Sequence, residues 1–154
     1  RALGPEHPTV AVTLTNLGGA YAKLGEIDRE KACLARALQI KEKEFGPDHP
    51  KIAVTLANLG NLVRRLGDAK QAVELLERAV AIKEREKGPD HPDLAGTLVN
   101  LGTAYGKHGE PAKEREATQR AVAIFEGAYG PGHPHSVRAR KVLSGLDARA
   151  KEKK

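Results

Sequence analysis

The sequence predicts an all-α protein: an α-solenoid of three helix–turn–helix repeats followed by one capping helix. Three observations predict it: a pentapeptide that recurs at a fixed spacing, apolar residues at helical spacing, and glycines at the expected helix ends. The pentapeptide Gly-Pro-x-His-Pro occupies residues 4–8, 46–50, 88–92 and 130–134, so each copy begins 42 residues after the previous one. A fixed period of this size is typical of repeat arrays, whose units bury their apolar faces against neighbouring units.

The first helix of each repeat is predicted from one apolar stripe. In the first repeat the stripe steps by four, three, four and three residues, which is the spacing of an amphipathic α-helix. A glycine then ends the helix, because glycine readily adopts the left-handed backbone conformation found at helix ends. The stripe consists of Val10, Leu14, Leu17, Tyr21 and Leu24. The terminating glycines are Gly25, Gly67 and Gly109.

The second helix of the first repeat is expected over residues 28–44, with Leu34, Ala37, Leu38 and Ile40 on its inner side. Gly46 stops this helix, and the proline that follows prevents its continuation. Prolines also mark where each new helix begins, since proline is favoured at the first helical position. The preceding acidic residue and histidine can both cap the free amides, and the sequence leaves open which one does so. These helix-starting prolines are Pro8, Pro50, Pro92 and Pro134.

A single domain over residues 1–154 is therefore expected, with repeats at about 4–45, 46–87 and 88–129. A capping helix is expected at about 134–150, and a frayed basic tail at 151–154. In the capping helix Val137, Val142, Leu143 and Leu146 form a stripe able to cover the third repeat. A terminal helix of a solenoid needs this combination of an apolar inner face and a polar outer face.

Small and large residues alternate at equivalent positions of the three repeats, which favours one docking register for the helices. The small positions permit close helix approach, and the large ones fill the remaining space. The small set is Ala11/Ala53/Ala95, Gly18/Gly60/Gly102 and Ala37/Ala79/Ala121. The large set is Leu14/Leu56/Leu98, Leu17/Leu59/Leu101 and Ile40/Ile82/Ile124.

Composition limits the possible functions. The formal net charge is +6, but residues 41–44 and 83–87 mix both signs closely, which predicts solvated helix faces. No run of about 18 apolar residues predicts a membrane span, and no signal-peptide pattern begins the chain, so we expect a cytoplasmic protein without membrane contact. Cys33 is the only cysteine, which excludes an internal disulfide. Because aromatic residues make up only 3%, the basic charge lacks the stacking side chains that nucleic-acid binding normally uses.

Signals for chemistry are weak. The four pentapeptide histidines are expected roughly 20 Å apart, whereas a metal ligand must lie about 2 Å from its ion. His133 and His135 are closer, but no acidic or thiol partner accompanies them. No phosphate-binding loop, nucleophile–base set or metal-binding helix motif is present. We therefore expect no enzyme activity, no cofactor and no metal site.

One segment of the first repeat carries a family resemblance. Residues 14–21 read Leu-Thr-Asn-Leu-Gly-Gly-Ala-Tyr, with Gly25 following and Arg-Ala-Leu at 36–38. This pattern resembles the tetratricopeptide repeat; its Leu-Gly-x-x-Tyr core returns at residues 101–105, and the second repeat departs from it at Val63. The 42-residue length and the Gly-Pro-Asp-His-Pro linker resemble the long variety found in kinesin light chains. The resemblance covers residues 4 to about 134 and implies a right-handed superhelix with a concave groove for peptides or partner proteins.

By this resemblance the groove is lined by an asparagine of each first helix and by further residues of the same helix, three and seven positions later. Residues 13, 16, 20 and 23 share one helix face beside the leucine stripe. An asparagine amide can both donate to and accept from a peptide backbone, and the cations favour an acidic partner. The alternative is that the asparagines join neighbouring helices while the cations only solubilise. The predicted groove residues are Asn16, Lys23, Asn58, Asn61, Arg65, Asn100, Thr103 and Lys107.

A different class of function is also open: a structural segment, or the regulatory arm of a larger protein, whose repeats stack or swap into oligomers. This hypothesis starts from residues 1–3, which are not expected to form a preceding helix. The first repeat would then expose an apolar flank that a second copy could cover.

Overall fold

The computed structural model describes residues 4–152, and in that part of the chain it contains α-helices and no strand. The chain forms two compact units, Arg1–Ile82 and Lys83–Lys154. The first repeat contributes α1 and α2, the second α3 and α4, and the third α5 and α6. The helices are α1 Pro8–Leu24, α2 Ile27–Phe45, α3 Ala53–Arg65, α4 Ala69–Lys87, α5 Pro92–His108, α6 Pro111–Tyr129 and α7 Pro134–Glu152.

The predicted all-α repeat architecture is confirmed, and three helices differ from the sequence expectation in their bounds. α2 begins and ends one residue outside the predicted range. At Pro50 the chain first makes a 3-10 turn, Pro50–Ile52, so the second repeat's α-helix begins only at Ala53. α7 continues to Glu152, so the first two residues of the expected frayed tail are helical. The remaining tail residues, and residues 1–3, lie outside the described part.

Histidine caps the first helical segment of every repeat, which in the second repeat is the 3-10 turn, and this answers the question that the sequence left open. The ring Nδ1 of His7, His49 and His91 accepts a hydrogen bond from the backbone N–H two residues later, at 3.2 Å in each case. His133 does the same at the start of α7, at 3.3 Å. Each pentapeptide histidine therefore satisfies a helix amide that would otherwise have no partner.

Glycine permits the close approach of the two helices within a repeat. A Cβ atom on Gly60 would lie 2.7 Å from Cγ of Leu76 on α4. In the second compact unit, a Cβ on Gly102 would lie 2.9 Å from Oγ1 of Thr118 and 3.1 Å from the backbone oxygen of Glu114. No real Cβ tolerates the shortest of these contacts, so the recurring glycine is a steric requirement of helix packing.

A first helix inside the array has two buried faces. In α3, Thr55 and Leu62 are buried on one side, where Thr55 accepts a hydrogen bond from Lys41 of α2. Ala53 and Leu56 are buried on a second side, together with Gly60, which contacts α4. The helix is therefore held on two sides, and only its remaining face can meet other molecules.

Two helices bury only one of these faces, and this corrects two expectations. Leu17, predicted to fill the core, is 40% exposed, whereas its counterpart Leu101 is 4% exposed. In α7 the predicted stripe is wrong at Val137 and Val142, which are 50% and 38% exposed. The side of α7 toward α6 is formed by Ser136, Ala139, Leu143 and Leu146, of which only Leu143 is partly exposed.

Candidate functional site

Each first helix has one face that packing leaves uncovered, and we call it the open face. It follows the spacing i, i+4, i+7 and i+11, and its residues are half-buried or exposed in all three helices. The open face of α1 consists of Val12, Asn16, Gly19 and Lys23. That of α3 consists of Val54, Asn58, Asn61 and Arg65. That of α5, in the second compact unit, consists of Gly96, Asn100, Thr103 and Lys107.

The open face contains all eight predicted groove residues, but the helix face chosen from the sequence was off by part of a turn. Residues 13, 16, 20 and 23 were expected to lie together in the groove. Their counterparts in α3 include Thr55 and Leu62, and both of these are fully buried. The helix is therefore rotated so that Val54 and Asn61 take the outward positions instead.

The first asparagine of each open face (Asn16, Asn58 or Asn100) has no hydrogen-bond partner in the described part of the chain. Asn16 is exposed, and Asn58 and Asn100 are half-buried. Neither the backbone of a neighbouring helix nor any other side chain accepts from or donates to these amides. The alternative in which the asparagines join neighbouring helices therefore finds no support in the structure. Three amides at a repeat of 42 residues remain able to donate and accept.

The other predicted residues differ in how far they are already engaged. Lys23 and Lys107 are exposed. Asn61 Oδ1 accepts a hydrogen bond from Nη2 of Arg64 at 2.6 Å. Thr103 donates its hydroxyl to the backbone oxygen of Val99 at 3.0 Å, as helical threonines commonly do.

Arg65 is engaged most strongly. Its Nη1 lies 3.1 Å from both carboxylate oxygens of Glu30, whose side chain is only 4% exposed. Glu30 belongs to α2, so this ion pair joins the first and second repeats inside one compact unit. The sequence predicted Arg65 as a free cation for a ligand's carboxylate; the structure shows that an internal carboxylate already holds it.

A buried amine in the first compact unit was missed entirely. Lys41 was expected on a solvated helix face, but it is 5% exposed. Its Nζ donates to Oγ1 of Thr15 at 3.1 Å and to Oγ1 of Thr55 at 2.8 Å. These two hydroxyl oxygens are themselves 3.1 Å apart. Because burial removes water from the ammonium group, the pKa of Lys41 lies below its usual value.

The equivalent lysine of the second repeat has a different setting. Nζ of Lys83 donates to Oγ1 of Thr97 at 2.9 Å and to the backbone oxygen of Asp93 at 3.1 Å. Burial again lowers the pKa of Lys83, but the Asp93 carboxylate opposes this effect. The same place in the third repeat is occupied by Phe125. The signal that could have located these lysines is their spacing: Lys41 follows the buried Leu34 and Ala37 by seven and four residues, on one helix face.

An arginine on the second helix fastens the linker that precedes its own repeat. Arg78 Nη2 donates to Glu42 Oε1 at 2.7 Å and to the carbonyl oxygen of Pro47 at 2.9 Å. Forty-two residues later, Arg120 makes the same pair of contacts at 2.8 and 3.0 Å. These arginines are thus structural, and they are not part of the open face.

Aromatic rings gather at the end of the third repeat. The rings of Phe125 and His135 stack with centroids 5.3 Å apart, and those of Tyr129 and His133 with centroids 4.7 Å apart. The groove beside them, lined by residues of α5, α6 and α7, has a volume of about 470 Å³. Over residues 4–152, no three histidine, cysteine or carboxylate side chains converge as metal ligands. No helix in that range is long and apolar enough to cross a membrane.

Comparison with known proteins gives consistent matches. Models of the tetratricopeptide repeat match residues 31–85, 58–127 and 10–51. The fold is similar to nearly identical TPR-like repeats of a candidate kinesin light chain from Podospora anserina, with 24% identity, a TM-score of 0.81, and coverage of 91% of this chain and 66% of that one. It is also similar to BtubC (BKLC) from P. vanneervenii, with 30% identity, a TM-score of 0.71, and coverage of 84% and 51%.

A third similar structure is PcrH in complex with the chaperone binding region of PopD, with 16% identity, a TM-score of 0.71, and coverage of 97% and 98%. The chain spans about two thirds of the Podospora protein and about half of BtubC. Among curated protein sequences no significant match is found. The structural likenesses show a helical-repeat solenoid with long, kinesin-light-chain-like repeats.

Proposed function

Since the chain belongs to the tetratricopeptide repeat family, we propose that it is a non-catalytic interaction module that holds an extended segment of a partner protein on its open faces. Repeats of this family commonly serve as scaffolds for protein interactions. PcrH, which shares the fold, was solved with a region of another protein bound. The remaining question is which surface of this chain receives a partner.

The observation that carries the proposal is the set of unpartnered amides at Asn16, Asn58 and Asn100. A half-buried amide without a hydrogen bond leaves both a donor and an acceptor unused. An extended peptide backbone presents an N–H and a C=O at each residue, so it can satisfy both groups of each amide. Within the first compact unit, Asn16 and Asn58 repeat this arrangement 42 residues apart, which suits a ligand with a repeating backbone.

The first test uses a random library of displayed dodecapeptides, selected against the wild-type chain. We expect peptides that bind, and we expect the triple variant Asn16→Ala, Asn58→Ala, Asn100→Ala to bind them about a hundredfold more weakly. This figure assumes about 1 kcal/mol for each hydrogen-bonded amide, with 1.4 kcal/mol for each tenfold change. Circular dichroism should show unchanged helicity, because the three amides make no internal contact.

The matched control is Gln119→Ala, which removes an exposed amide from α6, away from the open faces. Its affinity for the selected peptides should stay within about twofold of the wild type, because less than about 0.5 kcal/mol is at stake on an uninvolved surface. The proposal fails if the triple variant binds as well as the wild type. It also fails if the library yields no binding peptide.

A second candidate function rests on the exposed outer side of α1. Leu17 and Leu24 are 40% and 74% exposed there, which is unusual for large apolar residues at core-type positions. We propose as an alternative that a second copy covers this side and that the repeats form oligomers, as in a structural arm of a larger protein. Light scattering over a range of concentrations tests this directly: mass should rise with concentration, and Leu17→Lys should abolish the rise. A monomer at every concentration would refute this alternative.

A further inference from the structure

The side chain of Lys41, whose amine is buried, lines a cavity in the first compact unit. The cavity has a volume of about 410 Å³ and is lined by Pro8, Thr9, Val12, Lys41, Phe45 and Lys51. α1 supplies one wall and the end of α2 the other. Apart from two lysines and one threonine, the lining is apolar. The cavity therefore combines two cationic side chains with mainly apolar walls.

The charge in this cavity is not balanced from within. The two hydrogen-bond partners of Lys41, Thr15 and Thr55, are neutral hydroxyls. Lys51 adds a second cation, with its Nζ 4.3 Å from the centre of the Phe45 ring. Among the described residues, no carboxylate belongs to the cavity lining. An ammonium group with three donors and two neutral acceptors, away from water, is an incomplete arrangement.

The second repeat shows how the same arrangement can be completed internally. The counterparts of Phe45 and Lys51, 42 residues later, are Lys87 and Asp93. There Asp93 forms an ion pair with Lys87, and its backbone oxygen accepts from Lys83. The chain thus places the Asp93 carboxylate near the half-buried Lys83 in the second repeat, and Lys51 at the same position near the buried Lys41 in the first.

We propose that the Lys41 cavity binds the side-chain carboxylate of a glutamate on a partner peptide. The carboxylate would take the third donor of Lys41 and pair with Lys51, as charge-assisted hydrogen bonds favour. The two methylene groups of a glutamate side chain match the apolar walls of Pro8, Val12 and Phe45. Because Val12 belongs both to the cavity lining and to the open face of α1, a peptide lying on that face passes the cavity entrance.

This inference rests on the proposed function only in that the carboxylate arrives on a peptide. It assigns a new contact, on the second helix of the repeat, and it does not use the asparagine amides. The two ideas therefore fail separately. Asn16→Ala and Asn58→Ala test the open face, and Lys41→Met tests the cavity.

The experiment uses two matched probes, acetyl-Leu-Glu-Leu-amide and acetyl-Leu-Gln-Leu-amide, which differ in one charge and are nearly equal in shape. Each is titrated into the full chain while the side-chain signals of isotopically labelled lysines are followed by NMR. We expect the Glu probe to shift the Lys41 and Lys51 signals saturably and to bind at least about tenfold more tightly than the Gln probe.

The variant Lys41→Met should remove the preference for Glu over Gln and keep the fold, since Thr15 and Thr55 can then bond to each other. Lys83→Met, the equivalent change in the second repeat, should leave the preference unchanged. The inference is overturned if both probes bind equally to the wild type, or if the preference survives in Lys41→Met. If the preference is found but library peptides ignore the asparagine variants, only the open-face proposal is lost.

Discussion

Two glycines on one helix should respond in opposite ways to the same substitution. Gly96 and Gly102 both lie inside α5. A Cβ on Gly96 would meet nothing within 4 Å, whereas a Cβ on Gly102 would lie 2.9 Å from Thr118 Oγ1 and 3.1 Å from the Glu114 backbone oxygen. Alanine therefore has the same effect on helix propensity at both positions, but it creates a packing clash only at position 102.

The expected magnitudes follow from these contacts. Gly96→Ala should stabilise the protein by about 1 kcal/mol, because alanine is the better helix former. Gly102→Ala gains the same amount and loses about 1–3 kcal/mol to overpacking. Since a backbone oxygen cannot turn away as a side chain can, we place the loss in the upper part of that range. The two variants should then differ by about 2–3 kcal/mol, with Gly102→Ala the less stable.

Chemical denaturation followed by far-UV circular dichroism measures this difference. Repeat proteins need not unfold in one step, so the comparison uses the midpoint of the α5 transition, reported by hydrogen exchange of its amides. Equal stabilisation by both substitutions would refute the argument, because it would show that the helices of the third repeat do not approach as closely as Gly102 requires.

Three further changes have defined outcomes. Lys41→Met should raise the free energy of unfolding by about 1 kcal/mol or more near pH 7, because a buried charge is removed while Thr15 and Thr55 remain 3.1 Å apart as mutual partners. Burial lowers the folded-state pKa of Lys41 below its usual 10.5, so between these two values the unfolded chain binds more protons. Wild-type stability therefore rises with pH up to about 10.5, and the variant's advantage should shrink in denaturation curves. Ser136→Ala should stabilise by about 1 kcal/mol in a thermal melt, because the fully buried Ser136 hydroxyl has no partner among residues 4–152. His91→Ala should cost about 1 kcal/mol through the lost cap, measured by urea unfolding.

Each of these changes has a matched control. Lys31→Met removes an exposed lysine from the same helix as Lys41 and should leave the pH dependence as it is. Ser144→Ala alters an exposed hydroxyl on α7 and should change stability by less than about 0.5 kcal/mol. His91→Asn keeps a side-chain acceptor at the cap and should recover most of the loss caused by His91→Ala. A stability gap between wild type and Lys41→Met that widens as pH rises would contradict the argument about the buried amine.

The fold was predictable because it repeats. Gly18, Gly60 and Gly102 recur at positions where only the absence of a Cβ allows two helices to pack closely. Because the same pattern occurs three times at one spacing, it predicts the helices more strongly than the helix propensity of any single segment does. The predicted groove residues lie on an uncovered face of each first helix, but the sequence did not predict how that face is oriented. Placing Asn58 needs only the period, whereas rotating α3 by part of a turn depends on how deeply Thr55 packs against α2.

The buried ionic groups were not predicted from the sequence, for a different physical reason. Alternating signs, as in residues 41–44, are normally solvated, so the charge pattern predicts an outward-facing Lys41, and only its spacing from Leu34 and Ala37 indicates a buried position. Lys41 is buried because Thr15 and Thr55, 26 and 14 residues away in sequence, provide hydroxyls for it. Glu30 is buried for a similar reason, since Arg65 reaches it from another repeat. Such pairs are visible only when distant elements are placed together.

The three repeats can be compared with one another as variants of a single design, and the comparison separates packing from recognition. Where packing dictates the residue, all copies agree, as at the histidine caps and the small residues between helices. Where the copies differ, packing alone does not determine the residue type, and the side chain at that position is available for a ligand. The buried position of the second helix is Lys41, Lys83 and then Phe125, and the residue facing it ten positions later is Lys51, Asp93 and then His135. The first site has two lysines and no carboxylate among its described lining residues, the second has the Asp93 carboxylate beside two lysines, and the third is aromatic. A chain that only needed to stack its repeats could use one arrangement three times, so the differences at this one position favour a separate ligand chemistry in each repeat.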